Sequence, residues 1–154
     1  MTSQEKKQLQ ITACKVRMGI IEGTHAAKCG HPGGSLSATE MFTYLYHKEM
    51  NVDPKNPKWE DRDRFVLSKG HCAPGLYAAL ALRGFFPIED MLQLRKVGSY
   101  LQGHPNMNSV PGVKAATLLY KNLTHETKDI SPGKYEQSLC ITRLLLSHRG
   151  ARCC

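Results

Sequence analysis

The chain has 154 residues, of which 41% are hydrophobic and 22% charged, and it carries a formal net charge of +8. That length suits one domain with a proper core, and the composition excludes wholesale disorder. Because no apolar run is long enough to span a membrane and the first ten residues lack the apolar stretch of a secretory signal, we expect a cytoplasmic protein without a membrane partner.

The first two predicted elements are helices. Apolar residues at steps of four, three and four within residues 4–28 predict an amphipathic helix that ends at the segment GHPGG, where glycine and proline interrupt it. Ser37 and Glu40 have the spacing of a capping box, so a second helix is predicted from there to about residue 48. A polar, proline-broken loop follows over residues 51–63.

A strand is predicted next. Residues 64–68 form a short segment that contains β-branched and aromatic side chains, which is typical of a buried strand. The strand leads directly into Gly70 and His71, and Pro74 then favours the first turn of a third helix, over residues 76–83.

The fourth predicted helix covers residues 88–96, with two acidic residues in its first turn, and residues 98–113 form a long irregular loop. Helix, strand, glycine turn and helix in this order predict an α/β fold. Ligands bind in such folds where a strand turns into a helix, and His71 occupies that kind of position.

Three histidines each follow a glycine directly: His31 in CGHPGG, His71 in SKGHCAPG and His104 in LQGHP. Glycine before each histidine lets the backbone approach a ligand closely, and proline after two of them stiffens the turn. An imidazole exchanges hydrogen bonds and protons near neutral pH, as sugar hydroxyls and phosphates require. The three histidines are therefore the candidate functional residues.

Metal ligation by the three histidines is the less favoured alternative, because no acidic partner recurs at a ligand-like spacing, and we predict no metal site. The six cysteines show no CxxC pair, so they indicate neither a zinc site nor a disulfide framework.

The segments that carry these histidines come in the order AAKCGHPGGSLSATEMFTYLY, DRFVLSKGHCAPGLYAALALRGFF and LRKVGSYLQGHPNMNSVPGV. Together they resemble the amino-terminal, thiamine diphosphate-binding part of transketolase, over about residues 5–113. The short start resembles the separate amino-terminal subunit of split transketolases. The resemblance implies an α/β, PP-type thiamine diphosphate-binding fold that is incomplete in this chain, helix-rich and with few parallel strands.

The resemblance also implies a reaction in carbohydrate metabolism and the pentose phosphate pathway. Transketolases move a two-carbon ketol unit from a ketose phosphate to an aldose phosphate, using thiamine diphosphate and Mg²⁺ or Ca²⁺. By position, His31 and His104 would bind substrate hydroxyls near the reacting carbon, and Gly70 and His71 would bind the cofactor, so the three histidines are the implied catalytic residues. The implied partners are sugar phosphates, a second copy in a homodimer and a carboxyl-terminal transketolase subunit.

The resemblance ends after Val113, which divides the chain into a truncated transketolase domain, residues 1–113, and a basic tail, residues 114–154. The tail is predicted to be poorly ordered or a single helix, over about residues 135–148. The family's GDG motif, which with a later asparagine holds the metal, does not occur in the sequence, and the family's pyrimidine-binding module is missing too. The truncation also predicts uncovered apolar residues and hence a marginal, oligomeric or aggregation-prone chain. These residues are Leu76, Leu80, Leu82, Phe85 and Phe86.

Three functions remain open at this point. The chain is a transketolase component that is inactive alone because the metal clamp and the pyrimidine module are missing, or a non-catalytic fragment that retains at most weak binding of sugar phosphate or diphosphate. A basic module for nucleic acid ranks last, because the sequence has no recognition motif and no basic–aromatic interleaving, so we expect no nucleic-acid partner.

Overall fold

The computed structural model describes residues 1–67 and 69–113. The helical segments of these residues are α1 (Ser3–Ala27), α2 (Pro32–Ser37), α3 (Thr39–Tyr44), a π-helical segment (Leu45–Glu49), a 3-10 turn (Gly70–Cys72), α4 (Ala73–Arg83) and a second 3-10 segment (Ile88–Gln93). The predicted tail, with its helix over about residues 135–148, lies outside the described residues.

Helix α1 confirms the prediction for residues 4–28 to within one residue at each end. It begins with a capping box, in which Thr2 accepts from the Glu5 amide and the Glu5 carboxylate accepts from the Thr2 amide. It ends where Lys28 takes a left-handed conformation, with φ of 50°. Val16 and Ile20, on the predicted apolar stripe, are fully buried.

The prediction that a capping box at Ser37 opens the second helix is wrong. The chain turns helical earlier, at Pro32, where proline suits the first helical position because its missing N–H is not needed there. The Ser37 hydroxyl donates backwards to the carbonyl of Gly34 at 2.9 Å, and no side-chain hydrogen bond caps α3. Helix α3 carries buried Phe42 into the core, and the π-helical segment carries buried Tyr46 there.

The prediction of a strand over residues 64–68 is also wrong. Residues 64–67 form no strand, and neither does any other part of the described ranges. A strand exists through ladder hydrogen bonds to a neighbour, and these ranges offer no neighbouring strand. The apolar pattern was nevertheless a correct sign of burial, because Phe65 and Leu67 lie in the core. His71 therefore follows a buried non-strand segment.

Helix α4 is the centre of the core. It starts at Ala73, earlier than predicted, and ends at Gly84, which has φ of 101°. Helix α1 packs along it, and Gly112 of the final loop lies against Leu80 and Phe85. The Phe86 ring contacts Tyr100 edge to face.

The apolar residues expected to be uncovered are therefore buried, and that expectation is wrong. Leu76, Leu80, Phe85 and Phe86 are each at most 9% exposed, and Leu82 is half-buried. Helix α1 and the loop after residue 100 cover the faces that missing strands were expected to leave open.

The fourth predicted helix is shorter than expected and of the 3-10 type, since it ends at Gln93 rather than near residue 96. Arg95 then takes a left-handed backbone, with φ of 61°, which no helix continues. Residues 98–113 are irregular, as predicted. Within the two described ranges, no helix combines the length and apolar character that crossing a membrane requires.

Candidate functional site

His31 stands at the junction of α1 and α2. The chain leaves α1 through left-handed Lys28 and then through Gly30, whose φ of 136° is rarely adopted by other residues. Pro32 fixes the first turn of α2 immediately after the histidine. The imidazole is exposed at this corner.

His71 lies in the 3-10 turn that leads into α4. The Cys72 amide donates to the carbonyl of Lys69 at 3.0 Å and closes this turn. Cys72 and Pro74 are buried, whereas the His71 ring is exposed. The turn is therefore anchored on the core side and presents its histidine to solvent.

His104 belongs to the irregular segment, which is held by a few specific contacts. The Tyr77 hydroxyl of α4 donates to the carbonyl of Gln102 at 2.8 Å. Leu101 is fully buried, and its carbonyl accepts from the amide of Arg95 at 2.8 Å. These contacts fix the backbone just before His104.

The three histidines predicted from the sequence meet at one place. The rings of His31 and His71 have centroids 4.7 Å apart, and those of His71 and His104 are 5.3 Å apart, both edge to face. All three rings line one cavity of about 70 Å³. The other lining residues are Gly30, Pro74, Leu94, Arg95 and Gly103.

Contacts and backbone conformation within the chain also require the glycines that precede the histidines. A β-carbon on Gly70 would overlap the His104 ring, so Gly70 makes room for a second histidine. A β-carbon on Gly103 would lie 3.1 Å from Cζ of Arg95. Neighbouring side chains therefore occupy two of the three spaces, and Gly30 is required by its backbone conformation.

Sequence reasoning missed Lys69 and Arg95. The Lys69 ammonium lies close to α2, since a β-carbon on Gly34 would stand 3.2 Å from Nζ. Arg95 reaches the cavity from a segment that the sequence predicts as ordinary helix. No local pattern marks either residue, because their positions depend on how the two loops fold together.

Partial loss of hydration and the neighbouring charges both affect the protonation of His71. Loss of hydration lowers the pKa of His71, and His31, His104, Lys69 and Arg95 lower this pKa further by charge repulsion. His71 is therefore held in the neutral form at neutral pH, with one ring nitrogen that donates and one that accepts. Such a ring suits hydroxyl and phosphate ligands equally.

The three imidazoles do not form a metal site in the geometry described. In the ranges 1–67 and 69–113, no group of three histidine, cysteine or acidic side chains is arranged to hold a metal ion. The cavity lining carries imidazoles and the Arg95 cation without a carboxylate. The site as described fits hydroxyl groups and anions, and it does not fit a hard divalent cation, which prefers oxygen ligands.

Comparison with protein families matches residues 8–119 to the family model described as transketolase, thiamine diphosphate binding domain. The match begins near the start of α1 and passes beyond Val113. It covers the segments that carry all three histidines.

The chain is also similar to individual proteins. It is 44% identical over 115 residues to the 6-deoxy-6-sulfo-D-fructose transketolase subunit SqwG of a Clostridium species, a match that covers 75% of this chain and 42% of that protein. It is 43% identical over 109 residues to an apulose-4-phosphate transketolase subunit of Phocaeicola vulgatus, covering 71% and 38% of the two chains. The chain thus spans less than half the length of these relatives.

Solved structures give the same result. A mutant transketolase from Pichia stipitis superposes with a TM-score of 0.67 at 37% identity, over 71% of this chain and 16% of that one. The transketolase of Campylobacter jejuni gives a TM-score of 0.66 at 34% identity, over 76% of this chain and 18% of the other.

Proposed function

The chain belongs to the transketolase family through its thiamine diphosphate-binding domain, and from that premise we propose that its three histidines serve one site for cofactor and ketose. In this proposal His31 and His104 bind hydroxyls of the ketol unit, and His71 with Gly70 contacts the cofactor. The reaction is the transfer of a two-carbon ketol unit from a ketose phosphate to an aldose phosphate.

The observation that supports this proposal is the convergence of three imidazoles from three separate segments on one cavity. Core histidines are usually satisfied singly by hydrogen bonds, whereas these rings are exposed and touch one another edge to face. With its pKa lowered, His71 both donates and accepts hydrogen bonds at neutral pH. His31 and His104 each contact the His71 ring and line the same cavity, where we propose that they bind neighbouring hydroxyls of one small substrate.

Thiamine diphosphate, when bound, supplies the carbanion and the electron sink that split the donor ketose. The residues present fit part of this group: the imidazoles can donate to phosphate oxygens, and Lys69 and Arg95 place positive charge nearby. They do not fit the Mg²⁺ or Ca²⁺ that accompanies the diphosphate, for want of an oxygen-ligand cluster in the described residues.

In this proposal these 154 residues supply only part of the active site, namely the histidines that contact cofactor and ketose. Two relatives are named as transketolase subunits, and we propose as partners a second copy in a homodimer and a carboxyl-terminal transketolase subunit. The cytoplasm and the pentose phosphate pathway remain the proposed setting. By themselves the 154 residues are expected to be inactive, because the sequence has no GDG motif to hold the metal.

The alternative is a non-catalytic fragment that keeps at most weak sugar-phosphate or diphosphate binding. The missing metal-ligand motif is the observation in its favour. Calorimetric titration with thiamine diphosphate and magnesium, with and without a carboxyl-terminal transketolase subunit, separates the candidates. Micromolar binding with ketol transfer in the presence of that subunit would establish the catalytic component, and would refute the expectation that the GDG clamp is required. Weak binding without transfer in both titrations would establish the fragment.

A further inference from the structure

The geometry points to Arg95 as a positioning residue that holds the Gly103–His104 segment in place beside His71. Arg95 would act through His104 rather than on the substrate. Its importance for ketol binding rests on the proposed function, but its effect on the two imidazoles does not.

The backbone of Arg95 ties two parts of the chain together. Its φ of 61° makes it one of two residues other than glycine with positive φ in the described ranges. The Arg95 amide donates to the carbonyl of Leu101 at 2.8 Å. Leu94 and Leu101, which flank this bond, are both fully buried. This hydrogen bond and the two buried leucines therefore hold the two ends of the loop 95–101 together.

The side chain of Arg95 makes a second contact with the same segment. A β-carbon on Gly103 would lie 3.1 Å from Cζ and 3.2 Å from Nε of Arg95, so the guanidinium lies directly against the Gly103 backbone. A flat, delocalised guanidinium can pack on a peptide in this way, whereas a lysine ammonium cannot. Arg95 thus contacts the residue immediately before His104 and also lines the histidine cavity.

From Gly103 the contacts continue to His71. The His104 ring lies in the space left by the missing side chain of Gly70, and it contacts the His71 ring edge to face. If the guanidinium moves, the Gly103 backbone loses its packing contact with Arg95. We then expect the His104 ring to lose its fixed position against Gly70. The Arg95 charge would also leave the surroundings of His71, whose other charged neighbours are His31, His104 and Lys69.

Three variants of the full chain remove the guanidinium contact by different routes. Arg95→Asn keeps a residue that tolerates the left-handed backbone. Gly103→Ala displaces the guanidinium while it leaves Arg95 itself intact. It can still be measured if Arg95→Asn folds poorly. Arg95→Lys keeps the charge without the planar group. The matched control is Lys28→Asn, which removes a cation from the other left-handed position, with φ of 50°, at the end of α1.

The readout is NMR of the histidine rings in the free chain, without cofactor or substrate. We expect loss of the nuclear Overhauser contact between the His104 ring and the Gly70 α-protons in Arg95→Asn, Arg95→Lys and Gly103→Ala. We also expect the titration midpoint of His71 to rise further in Arg95→Asn than in Arg95→Lys, because only the asparagine removes the neighbouring cation. A purely structural role would not separate these two variants in that way.

The proposal is overturned if Arg95→Asn and Gly103→Ala keep the His104–Gly70 contact, or if Lys28→Asn loses it to the same degree. It is equally overturned if the His71 midpoint does not distinguish asparagine from lysine at position 95. Because these signals need no ligand, failure of the proposed function leaves them unchanged, and the two failures are distinguishable.

Discussion

The ring of His104 occupies the space beside Gly70 that any other residue would fill with its side chain. Gly70 immediately precedes His71, so a single glycine allows two of the three clustered histidines to meet. This close packing links two loops that are more than thirty residues apart in the sequence.

We expect Gly70→Ala to destabilise the fold and displace the His104 ring. The added β-carbon has no space, and overpacking of this kind costs about 1–3 kcal/mol. Urea denaturation measures the loss in the free energy of unfolding. The matched control is Gly33→Ala in α2, where a β-carbon meets no atom within 4 Å and we expect no loss. An equal effect of the two substitutions would contradict the packing described.

The central place of α4 gives a second prediction. Leu80 of α4 is fully buried and lies against Gly112 of the final loop, whereas Leu92 is 45% exposed. We expect Leu80→Ala to cost about 2–5 kcal/mol of unfolding free energy, because it leaves a cavity in the core. Leu92→Ala should cost about 0.5 kcal/mol or less. Similar denaturation midpoints for the two variants would mean that α4 is not covered as described.

The third prediction concerns His47, in the π-helical segment. Its Nε2 atom is buried without a hydrogen-bond partner. Burial lowers the pKa of His47, and the nearby Arg83 lowers it further, although a hydrogen bond with the Ala79 backbone opposes this. The folded state therefore resists protonation, so stability is unaffected well above pH 6.5 and falls as the pH drops through that value and the unfolded chain binds the proton.

Replacement of His47 should weaken this pH dependence. We expect the thermal midpoint of His47→Gln to fall less between pH 7.5 and about pH 5 than that of the parent chain. His25→Gln, at an exposed position near the end of α1, serves as the control. His71 contributes with the same sign and stays intact in both variants, so a residual slope is expected. Identical slopes for parent and His47→Gln would refute the assignment.

The fourth prediction uses the cysteines of the described ranges. Cys14 and Cys29 are exposed, whereas Cys72 is 2% exposed. Burial also raises the pKa of the Cys72 thiol, which reduces its reactive thiolate. In iodoacetamide labelling followed by mass spectrometry, we expect Cys72 to react more slowly than the other two by a factor of roughly ten or more. Labelling in urea, where the rates should become similar, is the control.

Local signals in the sequence predicted much of the helical structure. The stripe through Val16 and Ile20 located α1, and Pro74 with Gly84 bounded α4 closely. Both signals are local: a helix satisfies its own backbone, so its periodicity and its stop residues suffice to place it. The three histidines were also predicted from the sequence, through their shared glycine context.

Features that depend on other parts of the chain were not predicted. Phe65 and Leu67 are buried, as a buried strand would require, but a strand also requires a partner strand, which the described residues do not provide. Gly112, which is distant in sequence, lies against Leu80 and helps to bury it. Arg95, which contacts Gly103, has a left-handed backbone conformation that no sequence motif predicts.

The claim that His31, His71 and His104 form one ligand site is tested most directly by NMR titration of the full chain with thiamine diphosphate and magnesium. Even weak binding moves the ring signals of residues that share a ligand. We expect the three ring signals to shift together along one saturation curve, while those of His25 and His47 stay in place. No shift at the three histidines, separate curves for them, or equal shifts at His25 and His47 would contradict the account.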